Sequence, residues 1–247
     1  MTAGGPVALL VGAGDAIGAA VARRFAAGGL QVCVARRDAA KAKALIDEVA
    51  AGGGKLQAYS VDARQEAAIQ ELFAKVEREV GPIEVCLYNA GSNVNTPLLE
   101  TSETLFRKAW ELACYGGFLT GREAARHMVP RGHGTILFTG ATASVRGGPG
   151  FAAFASAKFG LRAVAQSMAR ELGPRNIHVA HLLIDGGVVS EAIRKRMRAR
   201  IGDGVDALPP NTLIKTQAIA DAYWALHIQP SHGWTHELDL RTSIEKW

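Results

Sequence analysis

The chain has 247 residues, of which 48% are hydrophobic and 21% are charged, and its mean hydropathy is +0.07. The apolar fraction excludes a disordered chain, and 28 glycines without a fixed period exclude a collagen-like one. Three cysteines, at positions 33, 86 and 114, are too few and too scattered for a disulfide framework or a zinc site, so no bound metal is expected. The net charge of +5 is spread along the chain without interleaved aromatic residues, which argues against nucleic acid as a partner.

Neither a membrane span nor a secretion signal is expected from the start of the sequence. The longest early apolar stretch, Pro6 to Val11, stops at Gly12, and no basic residue precedes it. The scattered cysteines suit a reducing compartment. We therefore expect a soluble, cytoplasmic protein without a membrane partner.

Short apolar runs alternate with segments of helical spacing along the chain. Continuous apolar runs such as 7–11 are typical of strands buried on both faces, and 56–61 alternates as a strand does. Strands are predicted at 7–11, 32–35, 56–61, 83–88, 135–139, 177–184 and 234–240. Helical spacing predicts helices at 16–27, 39–51, 65–80, 102–128, 151–172 and 217–228. This alternation predicts an α/β fold: a Rossmann-like, doubly wound, mainly parallel seven-stranded sheet with helices on both faces. No linker or composition break interrupts the chain, so we expect a single domain over 1–247.

The segment 188–213 breaks the alternation. A basic run is followed there by Pro209-Pro210. One interpretation is a solvated helix face and a loop, and the other is a mobile lid over a ligand. The basic residues are Arg194, Lys195, Arg196, Arg198 and Arg200.

A glycine-rich turn follows the first predicted strand and opens the first predicted helix. Backbone N–H groups at a helix N-terminus attract a pyrophosphate, and glycines let the phosphate approach the backbone. The strand–turn–helix context favours a dinucleotide site over an ordinary glycine-rich turn, although Ala16 places a methyl group where many such loops have glycine. The residues expected to contact the cofactor here are Gly12, Gly14, Asp15, Ile17 and Gly18.

The end of the second predicted strand bears on which dinucleotide is bound. A carboxylate at this place would accept hydrogen bonds from the ribose hydroxyls of NAD. The chain has Arg36-Arg37 instead, and two guanidinium groups suit the 2′-phosphate of NADP. Asp15 opposes this mildly through repulsion, so NADP is favoured over NAD without excluding it.

Four landmarks, in this order and over nearly the whole length, resemble the short-chain dehydrogenases/reductases. The turn at 12–18 is similar to the family's Gly-x-x-x-Gly-x-Gly, with alanine at the middle glycine. Asp62 follows the third predicted strand, where the family has an acid that contacts adenine. Asn89-Ala90-Gly91 matches the tripeptide after the fourth strand, and 154–158 (Phe-Ala-Ser-Ala-Lys) lies where the family has Tyr-x-x-x-Lys.

The resemblance also implies that most of the family's catalytic tetrad is replaced. In the family, a tyrosine protonates the substrate carbonyl, a serine binds its oxygen, an asparagine holds a relay water and a lysine holds the nicotinamide ribose. Counting along the motifs places Phe154, Ala141 and Ala113 at the first three positions and leaves Lys158 at the fourth. Loss of a positioned general acid costs about 10²–10⁴ in rate. Asp185-Gly186-Gly187 stands near the place of the family's Pro-Gly.

Other groups could replace the lost ones, each with a purely structural alternative. Thr142 and Ser144 carry hydroxyls beside the vacant serine position, and turn hydrogen bonding is their alternative role. His181 and Asp185 lie at the carboxyl end of a predicted strand, where open α/β sheets bind ligands, and His181 could act as an acid near neutral pH. Three weaker candidates, for which packing is the simpler explanation, are Tyr88, Cys114 and Tyr115.

Two hypotheses follow from the sequence. The chain is an atypical NADP-dependent oxidoreductase of unknown substrate, whose proton donor is moved or whose substrate needs none; or it is a catalytically inactive NAD(P)-binding sensor or oligomer partner. A hydrolase is disfavoured because no Gly-x-Ser-x-Gly sequence is present. The helices predicted at 102–128 and 151–172 form the main subunit contact in the family, so the resemblance implies a homodimer or homotetramer.

Overall fold

A parallel sheet of seven strands forms the centre of the fold. The computed structural model describes residues 5–245, without the side chains at positions 200 and 206. The strand order is β3-β2-β1-β4-β5-β6-β7, and every neighbouring pair is parallel. The strands are β1 (Val7–Val11), β2 (Gln31–Arg36), β3 (Leu56–Ser60), β4 (Ile83–Tyr88), β5 (Gly134–Thr139), β6 (Ile177–Asp185) and β7 (Glu237–Arg241).

Eight α-helices are found in the described part of the chain, and none is long and apolar enough to cross a bilayer. They are α1 (Ile17–Ala27), α2 (Lys43–Ala51), α3 (Glu66–Glu79), α4 (Glu103–Trp110), α5 (Gly116–Met128), α6 (Ala152–Leu172), α7 (Glu191–Ile201) and α8 (Thr216–His227).

Helices cover both faces of the sheet, as the alternation predicted. Successive side chains of a strand point to opposite faces. Ala8 and Leu10 of β1 therefore pack in a core with α1, α2 and α8, whereas Leu9 and Val11 pack with α3, α5 and α6. All five residues of β1 are buried, which explains its uninterrupted apolar run. The predicted α/β fold with a doubly wound, parallel seven-stranded sheet is confirmed.

The helix predicted over 102–128 is interrupted by a π-helical stretch, Glu111–Tyr115, between α4 and α5. The buried hydroxyl of Tyr88 donates a hydrogen bond to the Leu112 carbonyl within this stretch. Gly116 then passes so close that a Cβ there would lie 2.3 Å from the Tyr88 hydroxyl oxygen. The tyrosine at the end of β4 thus packs into the widened turn. Periodicity missed this interruption because the apolar spacing continues through it.

Backbone pairing with Ile214 holds the start of the segment that follows β6. Val188 bridges Ile214, and the Val189 amide donates to the Ile214 carbonyl at 2.9 Å. The Ser190 hydroxyl caps α7 by accepting from the Ile193 amide at 3.2 Å. A 3₁₀ turn, Gly202–Ala207, follows the helix. The segment 188–213 is therefore largely helical, and its role as a lid stays a prediction.

Candidate functional site

A cleft of ≈ 1670 Å³ lies at the carboxyl ends of the central strands. The sheet order reverses here, because β1 pairs with β2 on one side and with β4 on the other. Open α/β sheets bind ligands at such a switch point. The turns after β1, β2, β4 and β5 line the cleft, together with residues 186–193 after β6.

The glycine turn after β1 leaves a backbone surface open to the cleft. Gly12 has φ +84°, and a Cβ there would lie 2.4 Å from the Ala90 amide nitrogen, so glycine is required. A Cβ on Gly14 would meet no atom within 4 Å. Ala16 is the N-cap of α1 and offers no capping side chain, and the first turn of the helix carries no acid. The leading N–H groups of α1 therefore fit an anionic group such as a pyrophosphate.

Asn89 and Thr139 connect the turns that form the floor of the cleft. The Asn89 side-chain amide donates to the Gly12 carbonyl at 3.1 Å, and its oxygen accepts from the Thr139 hydroxyl at 2.9 Å. Because both residues line the cleft, this chain of bonds fixes three of its turns relative to one another. Ala90 and Gly91 continue the same wall. The motif at 89–91 thus has a structural basis in this molecule.

Charged side chains gather at the end of the cleft next to β2 and β3. Arg36 forms an ion pair with Asp15 of the glycine turn, with Nη1 and Oδ1 2.6 Å apart. Arg37 lines the cleft and is exposed. Asp62 accepts two-pronged hydrogen bonds from Arg64, at 2.9 and 2.6 Å, and these bonds, with a weaker contribution from Arg37, hold the pKa of Asp62 below its usual range.

Lys158 lies at the opposite end of the cleft, on α6. Its ammonium donates to the Thr139 carbonyl at 2.7 Å, and the residue is only 4% exposed. Burial lowers the pKa of Lys158 to about 8, because the charged form loses hydration. A Cβ on Gly91 would approach the Lys158 nitrogen to 3.4 Å, so the glycine leaves room above the ammonium.

The wall next to Lys158 is apolar. Phe154 and Phe151 line it with ring centroids 6.4 Å apart, and they pack with Ala141 and Ala143. The centre of the Phe154 ring lies 6.0 Å from the Lys158 nitrogen. Ala113 is buried in the π-helical stretch, and its neighbour Leu112 reaches the cleft instead. No phenol, serine hydroxyl or carboxamide is therefore supplied by these three positions, 113, 141 and 154.

Thr142 places a hydroxyl on the cleft wall, but that hydroxyl already donates its proton in a hydrogen bond within the protein. The hydroxyl donates to the buried carboxylate of Asp185, and two guanidinium groups approach that carboxylate, Arg241 at 3.2 Å and Arg146 at 3.7 Å. A carboxylate can only accept, so Thr142 can offer a ligand its lone pairs and no proton. Ser144 is buried and accepts from the Ala141 amide at 3.1 Å, which is the turn role considered as its alternative.

His181 does not line the cleft, and this corrects its prediction as an acid for neutral pH. The residue is completely buried, and its Nδ1 lies 3.0 Å from a Glu237 oxygen. Arg162 holds that carboxylate with two bonds of 2.6 Å. Burial lowers the pKa of His181 to about 4 despite the nearby Glu237, so the ring is neutral at pH 7. His181 and Asp185 are not in contact as a pair; each has its own charged partners.

The three weaker candidates lie outside the wall of the cleft. Tyr88 is buried beneath the π-helical stretch. Tyr115 stacks between the rings of Trp110 and Phe118, with centroids 6.4 Å away on each side. Cys114 is buried, and burial raises the pKa of its thiol, which leaves it protonated. Packing accounts for all three.

Sequence reasoning missed two residues of the site. Thr139 was treated as a strand residue, although it provides the carbonyl for Lys158 and a hydroxyl for Asn89. A polar residue that ends an apolar strand at its carboxyl end was the available signal. Arg146 lines the cleft from a glycine-rich loop, and no pattern in the sequence distinguished it from other exposed arginines.

Comparison with known proteins agrees with this geometry. The family model of short chain dehydrogenases matches residues 6–201. A short-chain dehydrogenase/reductase of Armillaria gallica is 33% identical over 178 residues, which are 71% of this chain and 68% of that protein. A crystal structure of a short-chain dehydrogenase from Rhodopseudomonas palustris is 47% identical, covers 96% of this chain and 98% of its own, and has a TM-score of 0.82. A metagenomic short-chain oxidoreductase in complex with NADP is 24% identical, covers 99% of this chain and 100% of its own with a TM-score of 0.81, and supports the fold alone. The chain belongs to the short-chain dehydrogenase family.

Proposed function

We propose that the chain is an NADP-binding oxidoreductase of this family whose catalytic tetrad is reduced to Lys158. The observation that carries the proposal is the position of Lys158. A buried ammonium lines the same cleft as the glycine turn and is held by the carbonyl of Thr139. Phe154, Ala141 and Ala113 would stand at the tyrosine, serine and asparagine positions.

The residues of the cleft fit a dinucleotide along its length. The open N-terminus of α1 with Gly14 would hold the pyrophosphate, and Asp62 would face the adenine. Arg36 and Arg37 would face a 2′-phosphate, and Lys158 would donate to the nicotinamide ribose. When bound, the nicotinamide supplies two-electron hydride chemistry. NADP is favoured over NAD because Arg36 and Arg37, at the end of β2, both carry a positive charge.

The chain's own residues offer little acid–base chemistry at the apolar wall. Phe154 has no proton to give, and Thr142 donates to Asp185. Lys158 is the titratable group beside Phe154, and with a pKa of about 8 it is mostly protonated at neutral pH. We therefore expect slow turnover of ordinary ketones, or a substrate that requires no proton from the protein.

A second candidate is a catalytically inactive NAD(P)-binding sensor or oligomer partner. Three large apolar side chains are exposed on α4 and α6: Phe106 at 41%, Trp110 at 40% and Phe159 at 42%. Contiguous exposed apolar groups are typical of interaction surfaces. A homodimer or homotetramer through these helices would cover them. Light scattering at micromolar concentration tests this, and a monomer would contradict it.

Binding of NADPH to wild type and to Lys158→Ala tests the proposal. A hydrogen bond from a charged donor is worth about 1.5–3 kcal/mol, so the variant should bind NADPH roughly 10–100-fold more weakly. Lys75→Ala, which removes a lysine on α3 outside the cleft, is the control and should bind like wild type. Unchanged affinity in Lys158→Ala would remove the basis of the proposal. Turnover of any carbonyl substrate by wild type would separate the oxidoreductase from the inactive binder.

A further inference from the structure

The two arginines at the end of β2 are not equivalent. Arg36 is turned into the protein, with a side chain 18% exposed, and its guanidinium is bonded to Asp15. Asp15 projects from the glycine turn and is 80% exposed. Arg37 is the next residue, and it makes no hydrogen bond or ion pair with any residue of the described range 5–245.

The other cations at this end of the cleft are also engaged. Arg23 is bonded through two nitrogens to Glu48, at 2.7 and 2.8 Å. The Lys41 ammonium lies 3.9 Å from a carboxylate oxygen of Asp38. Arg37 is therefore the cation that can meet an incoming anion without first breaking a hydrogen bond or a close ion pair in the described structure, although it also attracts Asp62 at longer range.

We propose that Asp15 is an internal counter-ion that competes with the nucleotide's 2′-phosphate for Arg36, and that it thereby sets the cofactor preference of the chain. This inference rests on the proposed function, because it assumes that a dinucleotide occupies the cleft. With Asp15 in place, the 2′-phosphate can bind Arg37 directly, but it can bind Arg36 only by breaking the ion pair between Arg36 and Asp15. The preference for NADP is then modest, and NAD is also bound.

The competition follows from how the two groups are attached. Asp15 is fixed in the backbone between Gly14 and Ala16, the turn that would hold the pyrophosphate, so its carboxylate remains near Arg36 whenever a nucleotide binds. A tethered carboxylate competes at a high effective concentration. It would also repel a 2′-phosphate at the same place. A nucleotide with ribose hydroxyls and no 2′-phosphate suffers neither effect.

Adenosine 2′,5′-bisphosphate and adenosine 5′-monophosphate isolate this interaction, because they differ by the 2′-phosphate and lack the nicotinamide. Their dissociation constants are measured by calorimetry for wild type, Asp15→Asn, Arg36→Ala and the double variant. Asp15→Asn keeps the shape of the side chain and removes its charge. We expect it to bind the bisphosphate about 5–10-fold more tightly, in line with the gain of a partly exposed charged hydrogen bond, and the monophosphate within about twofold of wild type.

Two further variants separate the ion pair from general electrostatics. In the Arg36→Ala background, Asp15→Asn should gain less for the bisphosphate than it does in wild type, because Arg36 is no longer there to be released and only the repulsion by Asp15 is relieved. Asp47→Asn removes an exposed carboxylate on α2 that does not line the cleft, and it matches the loss of one negative charge. This control should change the bisphosphate constant by less than about twofold. Thermal unfolding checks that each variant is folded.

Each alternative outcome contradicts the inference in a recognisable way. An unchanged bisphosphate constant in Asp15→Asn, with the monophosphate still bound, would overturn the role of Asp15 and leave the proposed function standing. An equal gain for both nucleotides, or an equal gain in Asp47→Asn, would assign the effect to charge in general. If wild type bound neither nucleotide nor NADPH, the proposed function itself would fail.

Discussion

The two ends of the cleft differ in the chemical character of their side chains. The end next to β2 and β3 is charged, and its carboxylates and guanidinium groups form ion pairs, as in Arg36 with Asp15 and Arg64 with Asp62. The end next to α6 is apolar around one buried ammonium, Lys158. On the proposed function, cofactor binding would depend on the charged end and proton transfer on the apolar end, so sequence change could alter the two independently.

The largest expected effect concerns the apolar end. Ordinary ketone turnover should be slower than with a positioned acid by about 10²–10⁴. The double variant Phe154→Tyr with Ala141→Ser restores a phenol and a hydroxyl together, and such residues act as a unit. We expect less than a tenfold gain, because Ala113 still supplies no amide and the Thr142 proton remains on Asp185. NADPH consumption with a panel of ketones and diketones measures this.

Phe151→Tyr is the matched control for that experiment, since it adds a phenol to the neighbouring ring of the same wall. Fast turnover by wild type would contradict the contrast between the two ends and would point to a proton donor elsewhere. A large gain in the double variant would show that the pocket is intact apart from the acid and the anchor.

The next effect concerns the charged end. Arg37→Ala should weaken NADPH binding roughly tenfold, because it removes the guanidinium that has no partner to give up, and should change NADH binding by less than about twofold. Dissociation constants for both cofactors test this. Arg78→Ala, which removes an exposed arginine on α3 outside the cleft, controls for the loss of one positive charge. NADH binding as tight as or tighter than NADPH binding in wild type would refute the NADP assignment.

The smallest effect expected at neutral pH is on the stability around His181, and it grows only as the pH falls. His181 has a pKa of about 4 when folded, against an ordinary value near 6.5, so the unfolded chain binds its proton first. The stabilisation by neutral His181 is present above pH 6.5 and is lost as the pH falls from 6.5 towards 4, by up to about 1 kcal/mol per pH unit. Urea unfolding across this range should give a shallower slope for His181→Gln than for wild type. Equal slopes in the two proteins would contradict this assignment.

Much of this architecture was predictable from local sequence. The five residues of β1 are buried on both faces of the sheet, so their uninterrupted apolar run indicated a parallel sheet covered on both sides. Gly12 was predictable as a cofactor-turn glycine, and the structure gives the reason, since its positive φ and its contact with Ala90 exclude a side chain. The π-helical stretch was not predictable, because it depends on the hydroxyl of Tyr88 from a strand 24 residues earlier.

The sequence by itself determined the doubly wound sheet, the order of its motifs and the residue types at each end of the cleft, because these depend on periodicity and on short-range spacing. The tertiary structure decided which charges are engaged. Arg36 is 21 residues from Asp15 and Thr142 is 43 residues from Asp185, yet each pair is bonded. His181 likewise changes from a candidate acid to a neutral ring because the fold buries it in the core, despite the nearby Glu237. Partner choice depends on distance in space, and a linear pattern of residues does not contain that distance.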